Sequence, residues 1–259
     1  MKKFSQILAF GASHVAGYQL LPVDYKKLQY GAVSLDELDD QTKPLAFPQH
    51  LANLLNIPCI NYARTGASDD RSLRLLPEAL IQYPNSLVIF AWNTIHRAEF
   101  FYPDNGKFSS RDKQGYLQVG LQWDERDSWW SRLGSYLEKT NNPLNKIFLK
   151  KFFRPTDGIN NYKLFNNMLY FETMCKQYAA NYRHFFISND IAVDAHLQTI
   201  LWDSLDKSKL IKFGVDSNLG YGSYVSYHDQ KKSIKLDQGH YDLEAHKHTA
   251  RYIYETLGI

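Results

Sequence analysis

A continuous apolar run that stops at a turn of small residues is the feature that most limits the fold of this chain. Residues 7–10 read ILAF, and residues 11–17 read GASHVAG. Apolar residues without polar alternation are typical of a strand buried on both faces, as in a parallel sheet covered by helices. Two later runs, residues 57–61 and 86–91, have the same character.

Helical patterns separate these runs. One helix is predicted from about Pro48 to Leu55, with proline near its first position, and another from about Asp69 to Gln82. Strands that alternate with helices in this way indicate right-handed βαβ units. We therefore predict an α/β fold, a three-layer α/β/α sandwich around a central parallel sheet.

The alternation of strands and helices resumes after a long interruption of the pattern. The later pattern predicts helices near residues 163–182, 197–205 and 243–257, strands near 184–188 and 210–213, and a loop at 214–224. The interruption, at about residues 96–160, is rich in aromatic residues, including Trp123, Trp129 and Trp130. It is far longer than a crossover between parallel strands requires. We interpret it as an insertion over one end of the sheet, within a single domain of residues 1–259.

Composition excludes several classes of function. The chain carries 30 basic and 27 acidic residues with no long basic block, so we expect no nucleic-acid partner. Its two cysteines suit neither a disulfide framework nor a metal site, and we expect no cofactor and no metal. No run approaches the roughly 18 apolar residues of a membrane span. Because Ser5 and Gln6 interrupt the first apolar stretch, no signal peptide is predicted either.

The turn after the first strand is the expected place for chemistry, because ligands bind beyond the carboxyl ends of parallel strands. Ser13 lies there among small residues, which allow close approach of a substrate. The alternative is that Ser13 only caps the following helix. Near the other end, Asp237 precedes His240 by three residues. A serine nucleophile needs an imidazole base, which in turn needs a carboxylate; Asp190, after the fourth strand, competes for that last role.

Four segments, in order, resemble the sequence blocks of the SGNH, or GDSL-like, hydrolase superfamily: FGASH, NYARTGAS, AWNT and DQGHY. The resemblance implies the flavodoxin-like fold of that family. It also implies a Ser13–His240–Asp237 triad, with an oxyanion hole formed by the backbone of Ser13, the backbone of Gly66 and the side chain of Asn93.

The chain departs from the family pattern at four positions. Ala12 stands where the first block has aspartate, Ala91 where the third has glycine, Thr94 where the third has aspartate, and Tyr241 where the last has proline. Neither the missing aspartate of the first block nor the missing glycine of the third removes a group that performs a chemical step. They bear on fine geometry and on substrate class.

The resemblance implies a serine esterase that hydrolyses acyl esters, with acetyl or similar groups on a glycan as the specific case we expect. The aromatic share of 15% suits contact with the flat faces of sugars. The substrate-binding candidates near the site are His14, Trp92, Arg97 and Glu99, although the last two also suit an ordinary surface ion pair. His246 and His248, two apart on a helix, point in different directions and do not suit a shared metal.

Two other functions fit the chain less well. One is a catalytically silent SGNH-fold protein that binds a glycan or a partner protein, although such a protein has no need of the complete set of catalytic residues. The other is a cofactor enzyme, but FGASHVAG lacks the glycine spacing that binds a dinucleotide. The departures also resemble SGNH-like proteins of bacteriophages, so we expect a cytoplasmic or virion-associated protein.

Overall fold

A computed structural model of the chain describes residues 4–21, 35–93, 97–101, 121–124, 129–133, 157–188, 196–213, 222–236 and 239–258. Short 3-10 helices occur at Lys43–Leu45 and Lys207–Lys209. In chain order the other elements are β1 (Ile7–Phe10), α1 (Ser13–Ala16), α2 (Leu35–Thr42), α3 (Phe47–Leu55), β2 (Cys59–Asn61), α4 (Asp69–Gln82), β3 (Leu87–Trp92), β4 (Arg97–Phe101), β5 (Leu121–Asp124), β6 (Trp129–Leu133), α5 (Asp157–Gln177), β7 (Asn181–Phe186), α6 (His196–Asp203), α7 (Tyr224–Gln230) and α8 (Leu243–Leu257).

The central sheet contains four strands in the order β2-β1-β3-β7, and every neighbouring pair is parallel. This is the strand order of the flavodoxin-like arrangement, in which the chain reverses its direction of winding beside β1. Leu210 extends the sheet by one parallel bridge to His184, close to the strand predicted at 210–213. The predicted central parallel sheet is therefore confirmed.

The two central strands, β1 and β3, are buried along their whole length, as their continuous apolar sequences require. Ile7 and Ala9 of β1 pack in one core cluster with residues of α3 and α8. Leu8 and Phe10 pack in a second cluster with residues of α4 and α5. Successive side chains of β1 thus point to opposite faces of the sheet and divide the core into two halves. The three-layer architecture is confirmed.

The described strands within the interruption form a second sheet, and its described residues 157–160 belong to α5. Strands β4, β6 and β5 pair in that order, and both pairs are antiparallel. The strand β4 follows closely after the end of β3 and lies against α4. The division into one domain with an insertion at about 96–160 stays a prediction.

Most predicted elements occur, with shifted boundaries where local backbone geometry intervenes. The helix predicted to reach residue 182 ends at Gln177, because Ala179 adopts a left-handed φ of +51° and the chain then enters β7. The helices α2 and α7 were not predicted. Among the described residues, no helix combines the length and the hydropathy needed to cross a membrane.

Candidate active site

The turn after β1 places Ser13 at the first position of α1. Gly11 has a φ of +152°, and a Cβ atom on it would lie 2.5 Å from Cγ2 of Val15, so only glycine fits there. Ser13 is 7% exposed. The N-cap of α1 is Ala12, with no side-chain hydrogen bond to the helix. Ser13 is therefore not the capping residue, which was the structural alternative to a chemical role.

The loop after β2 is tied to this turn by hydrogen bonds. Asn61 donates from Nδ2 to the carbonyl of Val15 at 2.8 Å, and its Oδ1 accepts from the N–H of Ala63 at 3.0 Å. The N–H of Arg64 donates to the carbonyl of Gly11 at 3.4 Å. These bonds hold the segment that leads to Gly66 beside the turn that carries Ser13.

Asn93 lies immediately after β3, at the same edge of the sheet as Ser13. The strands β1 and β3 are neighbours, with Phe10 opposite Phe90. Asn93 is buried, and its main-chain N–H and its Nδ2 both donate to Oδ1 of Asp69, at 3.1 and 2.8 Å. The structure therefore brings Ser13, the loop of Gly66 and Asn93 to adjoining strand ends, which is what an oxyanion hole built from these groups needs.

His240 reaches this edge from a tight turn before α8. The N–H of Leu236 donates to the carbonyl of His240 at 2.7 Å, and Lys235 bridges Tyr241 in antiparallel fashion. The ring of His240 lies 4.5 Å from the ring of His14, between centroids, and 5.1 Å from the ring of Tyr18. The predicted base is thus packed against the residue that follows Ser13.

Both candidates for the acidic partner, Asp237 and Asp190, lie outside the described residues. The family-pattern position Thr94 lies outside them too. Tyr241, in the place of the family's proline, is fully buried, and its hydroxyl contacts Oδ1 of Asp229 at 2.6 Å. Burial, with the neighbouring Asp229, raises the pKa of Tyr241, so it stays a neutral phenol. It anchors the chain directly after His240.

The structure describes three expected substrate contacts: Trp92 is buried, and Arg97 and Glu99, whose roles stay predictions, lie in a strand. Trp92 is 0% exposed and belongs to the core on the α4 side, where its indole N–H donates to Nδ1 of His184 at 2.9 Å. Trp92 is a core residue and not a pocket wall, because β3 is buried along its whole length, including this last residue. Arg97 and Glu99 belong to strand β4 and not to a loop, opposite Leu133 and Ser131.

Buried histidines lie behind the candidate site. Nδ1 of His246 accepts from the N–H of Phe47 at 3.0 Å, and burial lowers its pKa to about 3. His228, which the sequence did not single out, contacts Oγ1 of Thr249 at 2.8 Å, and burial lowers its pKa to about 4. His248 is exposed, so the prediction that it points away from His246 is confirmed. Among the described residues, no group of three or more potential metal ligands occurs.

Similarity to known proteins was found only through structure. No protein-family model matches the chain, and no curated protein matches it. A lipolytic protein of the G-D-S-L family from Desulfitobacterium hafniense DCB-2 matches at 10% identity and a TM-score of 0.40, over 97% of this chain and 99% of the other. The psychrotrophic esterase EstA from Pseudoalteromonas sp. matches at 13% identity and a TM-score of 0.44, over 98% and 97%.

A third solved structure is a carbohydrate esterase family 2 enzyme with a carbohydrate-binding domain, from Corynascus thermopiles (Myceliophthora fergusii). It matches at 14% identity and a TM-score of 0.44, over 98% of this chain and 67% of the other. At these TM-scores and identities the similarities lend no weight to a functional assignment. The assignment depends on the residues of this chain.

Proposed function

We propose that this chain is a serine esterase of the SGNH type, with Ser13 as nucleophile, His240 as base and Asp237 as the carboxylate that orients the imidazole. The single observation that carries the proposal is the convergence of Ser13, the loop of Gly66 and Asn93 at one edge of the parallel sheet. The packing of His240 against His14 brings an imidazole to the same edge. Nucleophile, base and oxyanion donors at one place are the parts that acyl transfer requires.

The reaction begins when Oγ of Ser13 attacks the carbonyl carbon of an ester while His240 takes the hydroxyl proton. The tetrahedral intermediate then collapses, the carbon–oxygen bond to the alcohol breaks, and His240 returns the proton to the leaving alcohol. Water repeats the sequence on the acyl-enzyme and releases the acid. Asp237 keeps the imidazole in the tautomer that accepts the proton of Ser13.

The negative oxygen of the intermediate is stabilised by three donors in this proposal. The N–H of Ser13 is at the first position of a helix, where no intrahelical acceptor exists for it. The N–H of Gly66 and the amide of Asn93 complete the set. Loss of one such donor costs about 2.7–4 kcal/mol of transition-state stabilisation.

We propose an acetylated glycan as the substrate class. The support is the aromatic content of the strands that follow Asn93. Phe100 is opposite Trp130, and Trp130 is opposite Trp123, so one aromatic row crosses all three strands of the second sheet. Aromatic residues in such a row suit the apolar faces of sugar rings.

The test is release of nitrophenol from nitrophenyl acetate and longer esters by the native protein and by Ser13→Ala and His240→Ala. Ser5→Ala is the matched serine control, because Ser5 is exposed, precedes β1 at the opposite edge of the sheet, and donates from Oγ to the carbonyls of Pro84 and Asn85. His248→Ala is the matched histidine control, because its side chain is exposed. We expect turnover to be lost in Ser13→Ala and His240→Ala and kept in Ser5→Ala and His248→Ala.

A fluorophosphonate probe separates the esterase from the binding protein that is the alternative function. The probe should label native protein and Ser5→Ala but not Ser13→Ala. Native protein that neither turns over esters nor takes the label contradicts the esterase proposal. Release of acetate from an acetylated oligosaccharide, faster than from nitrophenyl acetate in kcat/KM, supports the glycan part.

A further inference from the structure

A buried carboxylate that the catalytic set does not include lies behind the Gly66 loop. Asp39, on α2, is 1% exposed. Its Oδ2 accepts from the main-chain N–H of Thr65 at 2.8 Å, and its Oδ1 accepts from the hydroxyl of Thr65 at 2.6 Å. Thr65 is thus held through both its backbone and its side chain by one group.

Thr65 and Gly66 are the central residues of a tight turn. The carbonyl of Arg64 accepts from the N–H of Ala67 at 3.0 Å, and Gly66 has a φ of +80°. A turn closed in this way with positive φ at its third residue is typical of type II, which favours glycine there. The peptide between Thr65 and Gly66 carries the N–H of Gly66. Fixing Thr65 therefore fixes the direction in which that N–H points.

The helix α2 is also connected to the nucleophile turn. Oγ1 of Thr42 donates to the carbonyl of Ala16, the last residue of α1, at 2.8 Å. The same helix thus bonds to α1 through Thr42 and to the Gly66 turn through Asp39. One rigid element sets the distance between the two segments that are to share an oxyanion.

We propose that Asp39 is a positioning residue of the oxyanion hole, acting through Thr65 to aim the N–H of Gly66 at the oxygen that forms beside Ser13. This inference rests on the proposed esterase function. Asp39 acts through another residue and does not touch the substrate.

Burial also affects the ionisation of Asp39. Burial raises the pKa of Asp39, and the hydrogen bonds from Thr65 and the charges of Lys43 and Arg64 offset this only in part. A carboxyl whose folded pKa is raised favours folding when protonated, and that contribution is lost as the pH rises through the folded pKa. Asp39 therefore contributes less to the stability of the fold above its folded pKa than below it.

The test compares Asp39→Ala, Asp39→Asn and Thr65→Val with Asp40→Ala, the neighbouring carboxylate, which is exposed and lies 3.6 Å from Nζ of Lys43. The measurements are kcat and KM for nitrophenyl acetate and the midpoint of urea unfolding. We expect Asp39→Ala to lower kcat about tenfold to a hundredfold with KM within about twofold, a part of the loss for a whole oxyanion donor. Asp39→Asn keeps an acceptor for the N–H of Thr65 and should recover most of that loss.

The same experiment separates this inference from the esterase proposal. An active native protein in which Asp39→Ala has the kcat of Asp40→Ala overturns the role of Asp39 alone. A fall in kcat that tracks a lowered unfolding midpoint, with no recovery in Asp39→Asn, also overturns it, since that pattern is structural. A native protein without turnover overturns the esterase proposal and this inference together.

Discussion

One carboxylate oxygen of Asp69 accepts two hydrogen bonds from Asn93, from the main-chain N–H at 3.1 Å and from Nδ2 at 2.8 Å. The two bonds fix both the backbone and the side chain of Asn93 at the end of β3. An amide nitrogen carries two hydrogens, so the bond to Asp69 also orients the second one. In the proposed mechanism that second hydrogen faces the oxyanion.

The first prediction follows from this pair. Asn93→Ala should lower kcat about 10²- to 10³-fold because an oxyanion donor is lost, and Asp69→Ala should lower it by a smaller factor because the donor is only misaligned. Steady-state kinetics with nitrophenyl acetate measures both. Asp70→Ala is the control, since its carboxylate pairs with Lys163 at 2.7 Å. Equal losses in Asp69→Ala and Asp70→Ala would contradict the special role of Asp69.

The second prediction concerns the turn before Ser13. Gly11→Ala should lower the free energy of unfolding by roughly 2 kcal/mol or more, because a Cβ atom would meet Val15 and the backbone would be strained. Gly258→Ala is the matched control, because Gly258 also has positive φ but nothing lies within 4 Å of its added Cβ. It should cost only about 1 kcal/mol. Urea unfolding of both variants measures the two losses in the free energy of unfolding. Equal losses would show that the contact with Val15 is unimportant.

The third prediction concerns stability in acid. Burial lowers the pKa of His184 to about 3, of His228 to about 4 and of His246 to about 3, all below the unfolded value near 6.5. Between these values the unfolded chain binds more protons than the folded one. Stability is therefore present above about pH 6.5 and is lost as the pH falls, by at most about 1.4 kcal/mol per pH unit for each histidine.

His246→Asn tests this slope, because the asparagine Oδ1 can still accept from the N–H of Phe47. The variant should lose less stability than the native protein between pH 6.5 and pH 4.5, by about 1.4 kcal/mol per pH unit. Urea unfolding at several pH values gives the slope directly. His248→Asn, whose side chain is exposed, should keep the native slope. An unchanged slope in His246→Asn would show that His246 is not neutral in the folded protein.

The parts of the fold that the sequence predicted are those with strong local signals. Continuous apolar runs predicted the central strands, and the helix at Leu243–Leu257 matched its predicted limits, since Asp242 caps its first turn. The helix α2 was missed because its sequence, LDELDDQT, is mostly polar, and two of the residues that it buries, Asp39 and Thr42, are polar. The helix α7 was missed because the sequence before it, residues 214–222, contains three glycines and favours a loop prediction; its cap residue is Ser223.

The candidate site likewise contains residues that the sequence predicted and residues that it did not. Ser13 was predicted because it follows a strand that the apolar sequence indicates, and Gly66 and Asn93 were predicted from the resemblance of their segments to SGNH sequence blocks. Asp39 and Asp69 were not singled out, because their importance lies in hydrogen bonds to residues 26 and 24 positions away along the chain. Trp92 was misplaced for a related reason, since the sequence does not show which side of a strand end is covered.

The last prediction concerns the contact between His14 and His240. The two ring centroids are 4.5 Å apart, and the ring of Tyr224 supports His14 from 5.3 Å. His14→Ala removes this support and should lower kcat, since a displaced base is poorly aligned with Ser13; a shift of about 1 Å can cost up to about 10²-fold. His14→Phe keeps a ring in place and should retain most of kcat, as should the exposed control His248→Ala.

Kinetics of the three variants, with near-identical unfolding midpoints as the condition for comparison, measures the effect. If His14→Phe is as slow as His14→Ala, the imidazole of His14 itself takes part and ring contact is insufficient. If His14→Ala keeps native kcat, His240 is held without it, by the turn closed between Leu236 and His240 and by the ring of Tyr18 at 5.1 Å. The backbone of that turn would then be the feature that positions the base.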